Sequence, residues 1–346
     1  MLKKIRIVIQ SIFVFIITLT VLNYIHFVNT GQGRPDLIEI FCPIGGFYNL
    51  VMWLKTGFID HLHPAGMILI LAGLITTIFW MKGFCGWICP VGSALDFLGF
   101  LGKKTVGNYT DKIKLPSSLK VLSIGILNLI KFGVTLALVY LIVSLPGKIM
   151  PMMYQNAILP EDISLYKFWI DALNGQHNLT LIIIFAILIL SFIIPRFWCR
   201  YLCPLGAFYG LFNLISWLRL KKEDTCISCE LCKKACYLGL SPCTDNLLNN
   251  TRCVSCLKCI EKCPKHSLKI HLTFVNNIKP ILYPLVLIIL YVGIIGLAIE
   301  NNVWHSKISP QMYARLFVQH GLIKPWMIKE LQKHTPPRGM FLPIPK

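Results

Sequence analysis

The stretch that most limits what this chain can become is residues 225–272, where eight cysteines fall in two identical phrases. Cys226, Cys229, Cys232 and Cys236 read C-x-x-C-x-x-C-x-x-x-C, and Cys253, Cys256, Cys259 and Cys263 repeat the phrase 27 residues later. Three thiolates on one tight loop reach three irons of a cubane, while the fourth cysteine lies too far round and ligates the other cluster. The spacing therefore predicts Cys226, Cys229, Cys232 and Cys263 on one 4Fe-4S cluster. Cys253, Cys256, Cys259 and Cys236 are expected on a second. Structural zinc is the poorer reading, because zinc sites usually present separated C-x-x-C pairs. Disulfides would need an oxidising compartment, which the topology below opposes. The first phrase is irregular: Pro264 follows Cys263 as such loops expect, but Tyr237 follows Cys236. Cys243, just beyond, is a substitute ligand or a spare thiol.

The rest of the chain is too apolar for an ordinary soluble protein. Mean hydropathy is +0.65 and only 14% of the 346 residues are charged, well below the usual share. Apolar stretches at 7–28, 64–81, 119–145, 179–195 and 281–299 approach or reach the length that crosses a bilayer. The first is longer than a signal core and has no A-x-A-like site after it, so it is expected to be an anchor. With the N-terminus inside, the inner segments hold most of the Lys and Arg, which favours a cytoplasmic ferredoxin stretch and an outer C-terminus. Membrane orientation, anionic membrane lipid and anionic clusters account for the net charge of +19; no nucleic-acid motif accompanies it. The expected fold is an all-α integral membrane bundle of about five spans, carrying a small α+β two-cluster ferredoxin domain before the last span. The expected units are 1–221 for the bundle, 222–275 for the ferredoxin domain, 276–300 for the last span and 301–346 for an outer amphipathic tail.

A second cysteine phrase punctuates the apolar part. Cys42-Pro43-Ile44-Gly45, Cys89-Pro90-Val91-Gly92 and Cys203-Pro204-Leu205-Gly206 share one pattern, and the last two have a partner four residues upstream, Cys85 and Cys199. Both pairs follow an inbound span, so both are expected at the inner membrane surface. Proline opens the next helix at no cost in donors, and that helix turns its positive end toward the thiolates. Brought together, Cys85, Cys89, Cys199 and Cys203 are enough for a third iron–sulfur cluster. The plain alternative is cysteines that pack small helices or form redox-active thiol pairs.

Phe84-Cys85-Gly86-Trp87-Ile88-Cys89-Pro90 and Trp198-Cys199-Arg200-Tyr201-Leu202-Cys203-Pro204, followed by two ferredoxin phrases, resemble the membrane polyferredoxins of the NapH, NosR and CcoG type. The resemblance covers about residues 60–272. It implies electron transfer between the quinone pool and a partner redox protein. Family members of the nitrate-reductase type have four spans and end after the ferredoxin phrases, whereas this chain adds a fifth span and a tail.

Other residues offer weaker signals. Lys131 lies in the third span with Asn128 one turn earlier; an intramembrane lysine is a functional candidate by default, and the alternative is hydrogen bonding to carbonyls within the bundle. With His26 these are the candidates for a quinone site. His61 and His63 are expected near the outer surface, where histidines are usually only solvated. Met150, Met152 and Met153 are a candidate copper site, although methionine there more often packs. Cys42 is expected to be a buried thiol. Trp304 and Trp326 in the tail are expected to lie on the bilayer or to dock a partner. Three functions are compatible with these features: an electron-transfer subunit serving quinone and other redox subunits, a copper reductase or oxidase-assembly factor, and a redox-sensing regulator. The first is preferred. Clusters of this kind span roughly −700 to +450 mV, so ligands alone do not set the direction of flow. No P-loop or dinucleotide fingerprint is present.

Overall fold

The computed structural model describes residues 1–32, 43–57, 64–105, 117–144, 168, 170–172, 174–175, 178–242, 251–272, 275–305, 314–315, 318 and 324–332. Cys42, Cys243, His61, His63, Met150, Met152 and Met153 lie outside the described residues, as does the side chain of Asn128.

A helix occupies each of the five apolar stretches: α1 (Leu2–Thr30), α3 (Pro64–Trp80), α6 (Ser117–Ser144), α7 (Asn178–Ile193) and α12 (Leu282–Glu300). Of these, α1 and α12 are long and apolar enough to cross a membrane, while α3 and α7 are shorter apolar helices. Their outer faces are apolar as well. Leu136 of α6 is 72% exposed and Phe185 of α7 is 62% exposed, a pattern that a soluble fold would have buried. Helix α2 (Pro43–Thr56) lies against α3, where Gly46 and Gly66 let the two backbones approach. Helix α12 is pinned to α3 by a reciprocal pair: Trp80 Nε1 donates to the Tyr283 carbonyl at 2.8 Å, and Tyr283 Oη donates to the Trp80 carbonyl at 2.9 Å.

The two tail tryptophans correct the expectation of a bilayer surface. Trp304 is buried against Ala65, Ile68 and Ala298. Trp326, on α13 (Pro325–Gln332), donates its indole N–H to the Val28 carbonyl at 2.9 Å and packs on Phe27. The cause is local. The last carbonyls of α1 lack helical partners, and the helix ends on Gly31 with φ 77°. A Cβ at Gly31 would lie 2.6 Å from the Trp326 ring, so glycine serves both the left-handed turn and the indole.

Short helices connect the bundle to its cysteine motifs: α4 (Gly83–Trp87), α5 (Pro90–Thr105), α8 (Phe197–Tyr201) and α9 (Pro204–Phe212). After α9 the chain enters an antiparallel sheet of β1 (Leu218–Lys222), β2 (Leu268–Leu272) and β3 (Val275–Ile278), in that order, with Leu218 opposite Leu272 and Lys222 opposite Leu268. The sheet thus starts at Leu218 and reaches into the stretch assigned by sequence to the bundle. It leaves the bundle at Trp217, whose N–H donates to the Ile78 carbonyl at 2.9 Å. Between β1 and β2 stand α10 (Leu231–Ala235) and α11 (Lys258–Glu261). The 27-residue repeat is carried in the backbone: Ser228 and Ser255, Glu230 and Leu257, and Gly239 and His266 all have positive φ at matching places. Left-handed non-glycine residues are costly and concentrate at binding loops.

A buried charge cluster ties the parts together. Asp96 on α5 pairs with Arg6 of α1 and with Arg196, whose Nε and Nη2 reach it at 2.7 and 2.8 Å. Arg6 Nε also donates to the Gly86 carbonyl at 2.8 Å, and Arg196 Nη1 to the Cys85 carbonyl at 2.8 Å. Both guanidiniums face the Tyr237 ring, at 5.7 and 5.3 Å. Burial by itself would raise the Asp96 carboxyl, but Arg196 and Arg6 overcome it and hold it at about 2, against an ordinary 3.8. A depressed carboxyl stabilises the fold above its ordinary value and loses that contribution as pH falls through the folded value. Asp96→Asn leaves two buried guanidiniums without their carboxylate and is expected to cost about 3–5 kcal/mol. Denaturant melts of the detergent-solubilised chain should show that loss at pH 7, and wild type alone should lose the Asp96 contribution between about pH 4 and pH 2.

Candidate functional site

Two cavities in the ferredoxin domain are lined by cysteines. Cys226, Cys229, Cys232 and Cys263 line a space of ≈ 320 Å³ together with Pro264, Ser267 and Leu268. Cys236, Cys253, Cys256 and Cys259 line a larger one of ≈ 800 Å³, which Met81, Leu218 and Leu220 help to close. Each cavity takes three cysteines from one phrase and the fourth from the other. Among the described residues no three His, Cys, Asp or Glu side chains close on a single ion. Tetrahedral zinc, with Zn–S near 2.3 Å, draws its sulfurs together, whereas a cubane spreads its ligands over four corners. The donor sets fit 4Fe-4S clusters. Burial pushes the Cys253 thiol up to about 12, eased by the Ser255 N–H that donates to its Sγ at 3.4 Å. Loading a metal there must therefore expel protons.

The second cysteine phrase makes a third candidate site, built twice over. A left-handed residue with φ 58° follows each of α3 and α7, Met81 in the first copy and, one place later in the repeat, Arg196 in the second, and the chain enters α4 and α8. In the first copy Ile88 and Cys89 both donate N–H to the Phe84 carbonyl; in the second, Leu202 and Cys203 both donate to the Trp198 carbonyl, each bond 2.9–3.0 Å. Pro90 and Pro204 then open α5 and α9. The new helices turn N–H groups back on the second cysteine, Gly92 to Cys89 Sγ at 3.5 Å and Gly206 to Cys203 Sγ at 3.3 Å. Matching residues in the two copies lie 114 positions apart. The four thiols come within electrostatic reach of one another. Burial first, and then charge on Cys203, Cys89 and Cys85, drives the Cys199 thiol up against the pull of Arg196. Burial likewise pushes Cys89 up to about 12.

The third site touches the second cavity. A side chain at Gly86, between Cys85 and Cys89, would strike the Val254 carbonyl, and a Cβ at Gly210 would lie 2.6 Å from the Thr251 oxygen. Trp87 Nε1 donates to the Ser255 carbonyl at 2.9 Å. The loop 251–256, which carries Cys253 and Cys256, therefore rests on both halves of the bundle motif.

Lys131 lies here as well. Its Nζ donates to the Cys199 carbonyl at 3.2 Å, which is one of the two roles open to it from sequence. His26 is exposed and lies 20 residues along α1 from Arg6, about 30 Å at 1.5 Å per residue, so the structure does not bring it to Lys131. Beside Cys203 there is an apolar cavity of ≈ 970 Å³ lined by Phe47, Val134, Thr135, Leu138, Val139, Trp198, Leu202, Pro204, Leu205 and Phe208. Sequence reasoning missed Lys82, Asp96, Arg196, Tyr237 and the glycine seats. Only Tyr237 left a signal, standing where proline was expected. Its ring receives Arg6, Arg196 and Lys258, the last at 4.3 Å, so the departure from proline is a docking contact.

Gly86→Val should unseat the 251–256 loop. Trypsin should then cut after Arg252, which is half-buried, at least ~10-fold faster, as expected when a packed loop opens locally. Gly293→Ala, where an added Cβ meets nothing within 4 Å, should leave the rate unchanged.

Comparison with known proteins falls on the same segments of the chain. The 4Fe-4S binding domain family matches the chain twice, over residues 62–108 and 177–223, the two segments that hold Cys85/Cys89 and Cys199/Cys203. YccM of Escherichia coli (strain K12), provisionally named for electron transport, is 30% identical over 307 residues, covering 85% of this chain and 82% of YccM. The uncharacterised protein MJ0750 of Methanocaldococcus jannaschii is 29% identical over 58% of this chain and 76% of its own. The ferredoxin-type protein NapH of Haemophilus influenzae is 28% identical over 61% of this chain and 70% of its own. No solved structure matches the chain. A doubled iron–sulfur motif in the helices, a doubled ferredoxin phrase after it, and similarity over most of both chains place this protein in the membrane polyferredoxin family that includes YccM and NapH.

Proposed function

We propose that this chain is a multi-pass membrane electron relay that passes electrons between the quinone pool and a partner redox protein through three 4Fe-4S clusters. The observation that carries the reading is contiguity. The four bundle cysteines lie against the loop of Cys253 and Cys256, and β1 runs from that cavity at Leu218 toward Lys222 and Leu268 beside the other. Four residue steps along a strand cover about 14 Å. The order is therefore bundle site, nearer ferredoxin site, farther ferredoxin site.

When bound, the clusters supply reversible one-electron transfer. Cys226, Cys229, Cys232 and Cys263 hold the farther one, Cys236, Cys253, Cys256 and Cys259 the nearer one, and Cys85, Cys89, Cys199 and Cys203 the third. Lys233, Lys234, Lys258, Lys262 and Lys265 stand around the ferredoxin loops and favour the more negative, reduced state. The quinone ring is assigned to the apolar cavity beside Cys203. Its walls are almost wholly apolar, Thr135 contributes a hydroxyl, and Lys131 stands one turn earlier on the same helix. Such a cavity, mostly apolar with few polar groups, is the usual form of a small-molecule site. Five spans, with the N-terminus and ferredoxin domain in the cytoplasm of a prokaryotic cell and the C-terminus outside, agree with the placing of basic residues and keep the thiols in a reducing compartment.

Anaerobically purified protein should hold about twelve irons and about twelve acid-labile sulfides per chain, four for each cubane; about eight would remove the bundle cluster. Added menaquinol or ubiquinol should reduce at least one cluster signal in EPR. Leu138→Trp, which fills the cavity, should slow that reduction at least ~10-fold, as loss of a ligand site implies, with dithionite reduction unchanged. Clusters that dithionite reduces and quinol does not would overturn the quinone assignment.

A further inference from the structure

Lys82 and Arg196 occupy equivalent places in the two halves of the bundle site, each three residues before the first cysteine and 114 positions apart. Each reaches across to the opposite half. Arg196 donates to the Cys85 carbonyl at 2.8 Å and pairs with Asp96. Lys82 Nζ donates to the Gly206 carbonyl at 3.1 Å and to the Thr251 carbonyl at 3.0 Å.

The halves differ in what answers the charge. The counterpart of Asp96 is Gly210, and the Thr251 carbonyl sits where its side chain would be. Lys82 is 2% exposed, and among the described residues no carboxylate lies within 4 Å of it. Lys131 is close enough to act on it as a like charge. Two buried ammoniums that share no carboxylate are costly unless anions stand beside them. The groups within reach of Lys82 that become anionic on binding iron are thiols of two different sites: Cys85, Cys199 and Cys203 of the bundle, and Cys253 of the nearer ferredoxin cavity.

We propose that Lys82 is a fixed counter-charge shared by the bundle cluster and the nearer ferredoxin cluster, and so a positioning residue for electron passage between them. The inference rests on the three-cluster reading above. One electron leaves one site and arrives at the other with no proton transfer in the step; burial works against the charge on Lys82, and the cysteines of the two sites work for it. Because it faces both sites, Lys82 stabilises the added negative charge on whichever site holds the electron, and raises both potentials together. The farther site, Cys226, Cys229, Cys232 and Cys263, is the internal control, since none of these thiols is among the leading electrostatic influences on Lys82.

The test is potentiometric EPR on the full-length chain in detergent, purified anaerobically, as wild type, Lys82→Met and Lys82→Arg. Expected for Lys82→Met is a fall in the midpoint potential of two cluster signals, with the third unmoved, and recovery of most of the fall in Lys82→Arg. Loss of about eight irons with about four retained at the farther site would count the same way. Unmoved potentials, a shift at one signal alone, or an equal shift at all three would overturn the proposal. Lys82→Gln, which keeps a donor and removes only the charge, is read by the same criteria where the methionine variant does not fold. Wild type with about eight irons defeats the three-cluster reading; wild type with about twelve and no response to Lys82→Met defeats the counter-charge alone.

Discussion

The contact on which the rest of the molecule depends is the seat of one loop, 251–256, on two glycines. Gly86 and Gly210 belong to opposite halves of the bundle motif, and each has a backbone carbonyl of that loop where a side chain would be. Interiors packed to crystal density do not accommodate an extra methyl at such points without moving backbone. The ferredoxin domain is therefore built onto the helices, and its nearer cysteine cavity is closed partly by Met81 and Asn213 from the bundle side. Trp87 and Tyr283, both fully buried, fill the space beside the seat.

Charge follows packing. Drawing two cysteine sites together buries Arg6, Lys82, Lys131 and Arg196, and one carboxylate, Asp96, answers two of them. A bundle assembled for stability alone gains little from buried ion pairs. This distribution has a use when anionic iron–thiolate groups lie among the cations. Tyr237 completes the arrangement by offering its ring to three cations at once, a weaker attraction than an ion pair but one that costs no desolvated carboxylate.

Duplication operates at two scales. The 27-residue repeat reproduces its left-handed residues one for one, and the 114-residue repeat reproduces the paired hydrogen bonds onto Phe84 and Trp198. Where the longer repeat breaks, the structure shows why. Asp96 has Gly210 as its counterpart because the Thr251 backbone needs the room, and the cation that would have met a carboxylate meets carbonyls instead.

The cysteine phrases and the apolar stretches could be read directly from the chain. Thiolate spacing is a local property, and so is a run of residues that water rejects; both fix an element without reference to anything distant. Pairing across distance was not legible. Nothing near Lys82 announces that its ammonium meets Gly206 and Thr251, and nothing in the tail announces that Trp326 caps α1 rather than resting in lipid. Those outcomes depend on unpaired carbonyls and buried charges left over once the helices have packed, and a residue's neighbours along the chain carry no record of them. The crossing of the two half-sites is what brought a repeated string of cysteines together among buried cations.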